Sequence, residues 1–183
     1  AVIGSSITNN AAGTINGAAI VLAASGLTTL GGSFNANNVG PISITSAGVT
    51  QTAGTLTGGS LGLHGTGTFT LNESNAIGTL SANITGPLTF RNAGALVVGL
   101  AGSPPFNGIS SGGSPVSLTA AGNLTVSGPI SSGALTLAAD GGSVIINSTL
   151  SVPSLTTSGV NFASNTAIST GAVAILNTGS ATI

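Results

Sequence analysis

The sequence predicts an all-β fold, a parallel β-helix of eight or nine coils, and three observations carry that prediction. Apolar residues alternate with small or polar ones in short runs. A glycine follows each run at a fixed offset. Run and glycine together form a unit that recurs along nearly the whole chain. Internal repetition of this kind is the signature of a solenoid, in which a single unit cannot bury its own apolar face but a stack of units can.

The runs are IVLAASG from Ile20, ISITSAG from Ile42, LGLHGTG from Leu61, LTFRNAG from Leu88, VSLTAAG from Val116, LTLAADG from Leu135, PSLTTSG from Pro153 and VAILNTG from Val173, with a weaker copy, ITNNAAG, from Ile7. Pairs such as Ile42 and Ile44, Leu61 and Leu63, Leu88 and Phe90, Val116 and Leu118, and Leu135 and Leu137 show the period of two expected of a half-buried strand. Each run ends on a glycine: Gly26, Gly48, Gly67, Gly94, Gly122, Gly141, Gly159 and Gly179. These are read as corner residues, where the missing Cβ permits a tight turn or a positive φ.

A second short strand follows each corner, at Phe69 and Leu71, Leu96 and Val98, and Leu124 and Val126, with Val144 and Ile146 shifted by one after Gly142. A third apolar point recurs at Leu56, Ile130 and Leu150. Three apolar points per unit describe a three-walled coil. The starts are unevenly spaced, the widest gaps falling between Leu61 and Leu88 and between Leu88 and Val116. Segments 72–83 and 101–114 are read as insertions that absorb the excess. Pro41, Pro87 and Pro115 immediately precede run starts and Pro153 sits on one, as expected of a residue tolerated where a strand begins and disfavoured in its paired interior. No stretch has a helical apolar period. The chain reads as one solenoid domain, 1–183, and at ~4.8 Å per coil the stack would be a rod of roughly 40 Å.

Composition limits the chemistry. Charged residues make up 2% of the chain, namely Glu73, Arg91 and Asp140, and His64 is the sole histidine. One arginine cannot displace the counterions of a nucleic acid or hold an anionic membrane surface. No apolar run reaches the ~20 residues that span a bilayer. Without cysteine there are no disulfides and no thiolate sites. No basic segment leads into an apolar one at the start, so the sequence reads as a processed product or a part of something longer.

The string VSLTAAGNLTVSG, Val116 to Gly128, resembles the repeat of the filamentous haemagglutinin family of secreted adhesins, and LTFRNAGALVVG and LTLAADGGSVIIN are similar to it. The resemblance covers roughly residues 20–183. It implies a right-handed coil and an extracellular or cell-surface location on a Gram-negative bacterium. It also implies candidate glycosylation at the sequon asparagines Asn72, Asn83, Asn123 and Asn147.

Other chemistry can be tested residue by residue. Paired carboxylates for glycoside cleavage stand ~5–9.5 Å apart, whereas Glu73 and Asp140 fall three coils apart, roughly 14 Å along the axis. The chain is therefore expected to be no enzyme, with no catalytic, metal or cofactor-binding residue. His64 and Arg91 occupy the same position of successive copies and are expected side by side on one outer face, solvated. Asp140 precedes Gly141 and Gly142 and favours a turn. Phe34, Phe69, Phe90 and Phe162 are expected in the core, with Phe106 exposed in its insertion. A threonine array of the kind that would bind ice is not expected, because the positions equivalent to Thr68 and Thr70 read as Ala95 and Val97, then Asn123 and Thr125.

Neither the opening AVIGSSI nor the closing VAILNTGSATI carries a polar cap, so each end is expected to continue into more solenoid or to stack on another copy. Three functions follow as expectations: a structural element of a surface fibre, an adhesin binding a host or cell-surface glycan or protein through its insertions, or a non-catalytic relative of carbohydrate-active β-helices.

Overall fold

A computed structural model describes residues 1–10 and 13–183; Ala11 and Ala12, in the weak first copy, lie outside the described residues. The chain is all-β and forms a parallel β-solenoid of about nine turns. Nearly every strand belongs to one continuous 22-stranded hydrogen-bonded array.

Three ladders run up the rod, each strand pairing in parallel with the equivalent strand one turn on. The first starts at Val2–Gly4 and Ile20–Ala24 and passes through Pro41–Ser46. The second runs from Ile7–Asn9 through Leu27–Leu30 and Gly48–Gln51 to the start of Phe69–Ile84, then to Leu88–Asn92, Val116–Ala120 and Leu135–Ala139. The third begins with Thr14–Asn16 and Ser33–Asn35 and later includes Leu96–Val98, Leu124–Val126, Val144–Ile146 and Phe162–Ser164. Parallel in-register stacking follows from the sequence: most coils offer an apolar residue at the same inward position, Thr28 and Thr157 being buried exceptions, so each burial reinforces the next.

The alternating pairs face inward as the sequence indicates. Ile42, Ile44, Leu61, Leu63, Phe69, Leu71, Leu96, Leu118, Leu124, Leu137, Val144 and Ile146 have no solvent exposure, and Phe34, Phe90 and Phe162 are equally sealed. The third apolar points, Leu56, Ile130 and Leu150, are buried as well.

The run starts do not form one column, however. Ile20, Ile42 and Leu61 stack on the first wall, and the residue above Leu61 is Leu80. Leu88 stacks on Phe69 of the second wall, and Val116, Leu135, Leu155 and Val173 continue from it. The repeat therefore changes wall between Leu61 and Leu88. Segment 72–83, expected as an insertion, lies inside the strand Phe69–Ile84, and its residues 76–83 pair with Thr57 to His64 below. It is coil wall because the path from Leu61 to Leu80 is itself one complete turn.

Candidate functional site

Three features stand out from the regular stack. The first is a hairpin. Leu100–Ala101 pairs antiparallel with Phe106–Asn107, apart from the main array. Its neck is closed by the Gly108 amide donating to Gly99 O at 3.0 Å, and the Ser103–Pro104 peptide is cis. Of the expected insertion 101–114, Ile109–Ser110 already belongs to the first wall, pairing with Ala82 and Asn83 below and with Ile130 and Ser131 above. The protruding part is thus 99–108.

This hairpin lies back against the first wall. Buried Ser81 donates through Oγ to Ala101 O at 2.9 Å, and His64 Nε2 lies 3.1 Å from Pro104 O. Gly62 permits the approach, since a Cβ there would collide with the Gly102 backbone. His64 is accordingly a half-buried anchor and not a solvated side chain. Leu100, Pro104 and Pro105 point to solvent, while Phe106, expected exposed, is half-buried. Arg91 is exposed on the second wall, where it pairs with Thr119; His64 pairs with Asn83 on the first. The wall change separates the two residues that the sequence placed together.

The second feature is a file of hydroxyls. On the outer side of the second wall Thr8, Thr29, Thr50, Thr70, Thr89, Ser117, Thr136 and Thr156 follow one another without a break. All eight are exposed or half-exposed. Sequence reasoning misses this file because it equates Thr70 with Val97, whereas the structure stacks Thr70 between Thr50 and Thr89.

The third is a buried amide column at the corner after the second wall. Gln51, Asn75 and Asn92 occupy it on successive turns. Asn75 Oδ1 accepts from the Leu56 amide at 2.8 Å, and Leu71 O, Glu73 O and Arg91 O lie within hydrogen-bond distance of its two Nδ2 hydrogens. Asn92 Oδ1 accepts from the Ile77 amide at 2.9 Å while Nδ2 donates to Ala95 O at 2.8 Å. The signal is legible in outline: Asn92 has inward parity in LTFRN, where later copies carry Ala120 and Ala139.

The sequon residues Asn72, Asn83, Asn123 and Asn147 are all exposed. Two serve the stack: Asn123 Oδ1 accepts from the Ser143 amide at 2.9 Å and Asn147 Oδ1 from Asn165 Nδ2 at 2.6 Å. The run-end glycines mostly serve close approach between coils. A Cβ on Gly26, Gly141 or Gly179 would come within 2.6 Å of Ser5 O, 2.7 Å of Ala121 O or 2.5 Å of Asn161 Oδ1. Gly67 has φ of 80°, while at Gly94 a Cβ would meet nothing within 4 Å. Gly159 belongs with the close approaches, its Cβ coming within 2.8 Å of Gly142 O, while Gly48 and Gly122 are intermediate, with nearest contacts of 3.1 and 3.0 Å.

The described surface also carries two open grooves. One, of about 470 Å³, is lined by Ser131, Ser132, Ser151, Ser169, Thr170 and their neighbours; the other, of about 380 Å³, has a floor of Gly58, Gly59, Ala76, Gly78 and Gly94. Neither is lined by a titratable side chain. Among the described residues no group of three or more His, Cys, Asp or Glu gathers.

The architecture defines a β-solenoid repeat protein. Compared with known proteins, the chain matches no family model, no curated protein and no solved structure.

Proposed function

We propose that this chain is a rigid structural element, a stalk or fibre segment, of an extracellular or cell-surface filament of the Gram-negative adhesin type. The observation that carries this reading is the apolar core that runs the length of the stack from Ile7 to Phe162, with polar residues such as Thr28 and Thr157 at only a few of its positions. Such a core gives length and stiffness, the properties a stalk needs.

Electron microscopy of the purified chain across a concentration series tests the proposal. Long rods with an axial repeat near one chain's height would support a self-stacking fibre. Isolated short rods at every concentration would leave a stalk segment. Compact particles with no rod form would overturn both.

A second reading is favoured by the hairpin. Leu100 is 66% exposed at a protrusion that interrupts the regular wall, beside exposed Pro104 and Pro105. An adhesin carrying its binding lobe there would engage glycan or protein through 99–108. Loss of cell-surface binding on removal of the hairpin, with rods intact, would favour that reading over a purely structural one.

A further inference from the structure

We infer that the outer side of the second wall is an ice-binding face, its ligand being crystalline water. The carrier is the file from Thr8 to Thr156, seven threonines and one serine on consecutive turns. At ~4.8 Å per coil it extends about 34 Å along the rod.

Strand propensity does not explain the file. Threonine suits an exposed strand position in general, so the other outward files form an internal control. Two residues further along the same wall stand Arg91, Thr119, Ala138, Ser158 and Leu176. On the third wall the outward column reads Val97, Thr125, Ile145, Ala163 and Thr182. On the first it reads Thr45, His64, Asn83, Ser110, Ser131, Ser151 and Ser169. Of these files, the one from Thr8 to Thr156 carries a threonine or serine on the most consecutive turns, eight before Ala174 follows Thr156, against four serines from Ser110 to Ser169 on the first wall. It does so across the wall change between Leu61 and Leu88 and across the long coil from Leu88 to Val116.

The chemistry selects the ligand. A threonine presents one hydroxyl and one methyl on a side chain that is stiff at χ1. A straight series of such groups, repeated at the coil spacing, matches a partner with its own fixed repeat, and the oxygen rows of ice have a repeat close to this one. Each contact is weak, but on a rigid rod all eight are made together without further ordering cost. The flanking positions are compatible with a close planar approach. Before the file stand Leu27, Gly48, Thr68, Pro87, Pro115, Ala134 and Ser154, and among the residues on either side Arg91 is the single charge. The wall offers no aromatic platform on which a sugar ring could stack, which favours ice over a polysaccharide chain.

The inference does not depend on whether rods associate into fibres. It is tested on the full chain by thermal hysteresis, crystal shaping and inhibition of ice recrystallisation. Thr70→Lys with Thr89→Lys is compared with a control pair on the third wall, Thr125→Lys with Ala163→Lys, with circular dichroism reporting the fold. The unaltered chain is expected to facet ice and to inhibit recrystallisation. The second-wall pair should lose about tenfold or more of that activity, equivalent to ~1.4 kcal/mol, and the control pair should keep it. If the lysine pair unfolds the coil, Thr70→Ala with Thr89→Ala replaces it with the same expectation. A folded chain that leaves ice crystals rounded up to its solubility limit would overturn the inference. So would folded second-wall variants as active as the parent, and so would binding to an insoluble neutral glucan in the absence of any effect on ice.

Discussion

Gln51 and Asn75 exchange two hydrogen bonds inside the coil: Gln51 Nε2 donates to Asn75 Oδ1 at 2.9 Å, and Asn75 Nδ2 donates to Gln51 Oε1 at 3.0 Å. Asn75 is fully buried, and the same side chain also receives the Leu56 amide, so one amide group ties successive turns together at a corner where strand pairing is irregular. Each polar group left buried without a partner costs about 1–3 kcal/mol. Asn75→Ala strands the Leu56 amide and the Gln51 side chain together, and should cost about 3 kcal/mol or more. Urea denaturation measures it. A loss under about 1 kcal/mol would mean that water enters the corner and replaces the amide.

The amide column also marks how far the sequence can be read. Alternation is enough to assign the inward residues of each strand, since parity alone separates Leu88 and Phe90 from Thr89. Stacking partners are harder. The copy LSANITG, which starts at Leu80 one turn above Leu61 and ends on Gly86, fits the run pattern but carries Ala82 at its second apolar position, so by sequence alone it reads as insertion. One missed copy moves every later start onto the wrong wall. The threonine file, the separation of His64 from Arg91 and the wall role of segment 72–83 all follow from that slip. The hairpin contact at His64 and Pro104 is not legible at all, because it joins the first wall to a segment with no repeat period.

The run-end glycines are not equivalent, and the difference is measurable. Gly67 takes φ of 80°, and a Cβ there would also strike the Ala47 carbonyl oxygen of the turn below. The left-handed conformation alone costs an L-residue about 1–2 kcal/mol, so Gly67→Ala should destabilise by at least that amount. Gly94→Ala meets open space and removes backbone freedom from the unfolded chain, for a gain of about 0.4–1 kcal/mol. Thermal melts of the two variants should therefore move in opposite directions. Equal losses would show that the corner glycines share a requirement other than those two contacts.

Phe69 lies at the point where the repeat changes wall, between Val49 below and Leu88 above, and has no solvent exposure. Phe69→Ala should cost about 3–5 kcal/mol, in the range for large buried aromatics whose cavity cannot collapse. The loss is expected to be local as well as global, because a solenoid's stability is close to a sum of neighbouring interfaces. Hydrogen exchange is the suitable measurement. Amides of Val49, Phe69 and Leu88 should exchange faster than those of Leu124 and Val144, several turns away. Uniform acceleration along the rod would instead mean that the whole stack opens as one unit.

The hairpin should be removable. Its neck is already closed by the Gly99 and Gly108 hydrogen bond, and Ile109–Ser110 takes its place in the first wall independently of the loop. Replacing 100–107 by a two-glycine link uncovers Gly62 and returns Ser81 Oγ and His64 to water, which can satisfy both. What is lost is a few half-buried contacts and one or two hydrogen bonds worth about 0.5–1.5 kcal/mol each. What is gained is a shorter connection with less closure entropy, a term that changes only slowly with length. The far-ultraviolet spectrum should stay that of a β protein, and the urea midpoint should fall only slightly. A collapse of the fold on this deletion would show instead that the hairpin bridges turns which cannot hold register alone, with Ser81 and His64 as its structural anchors.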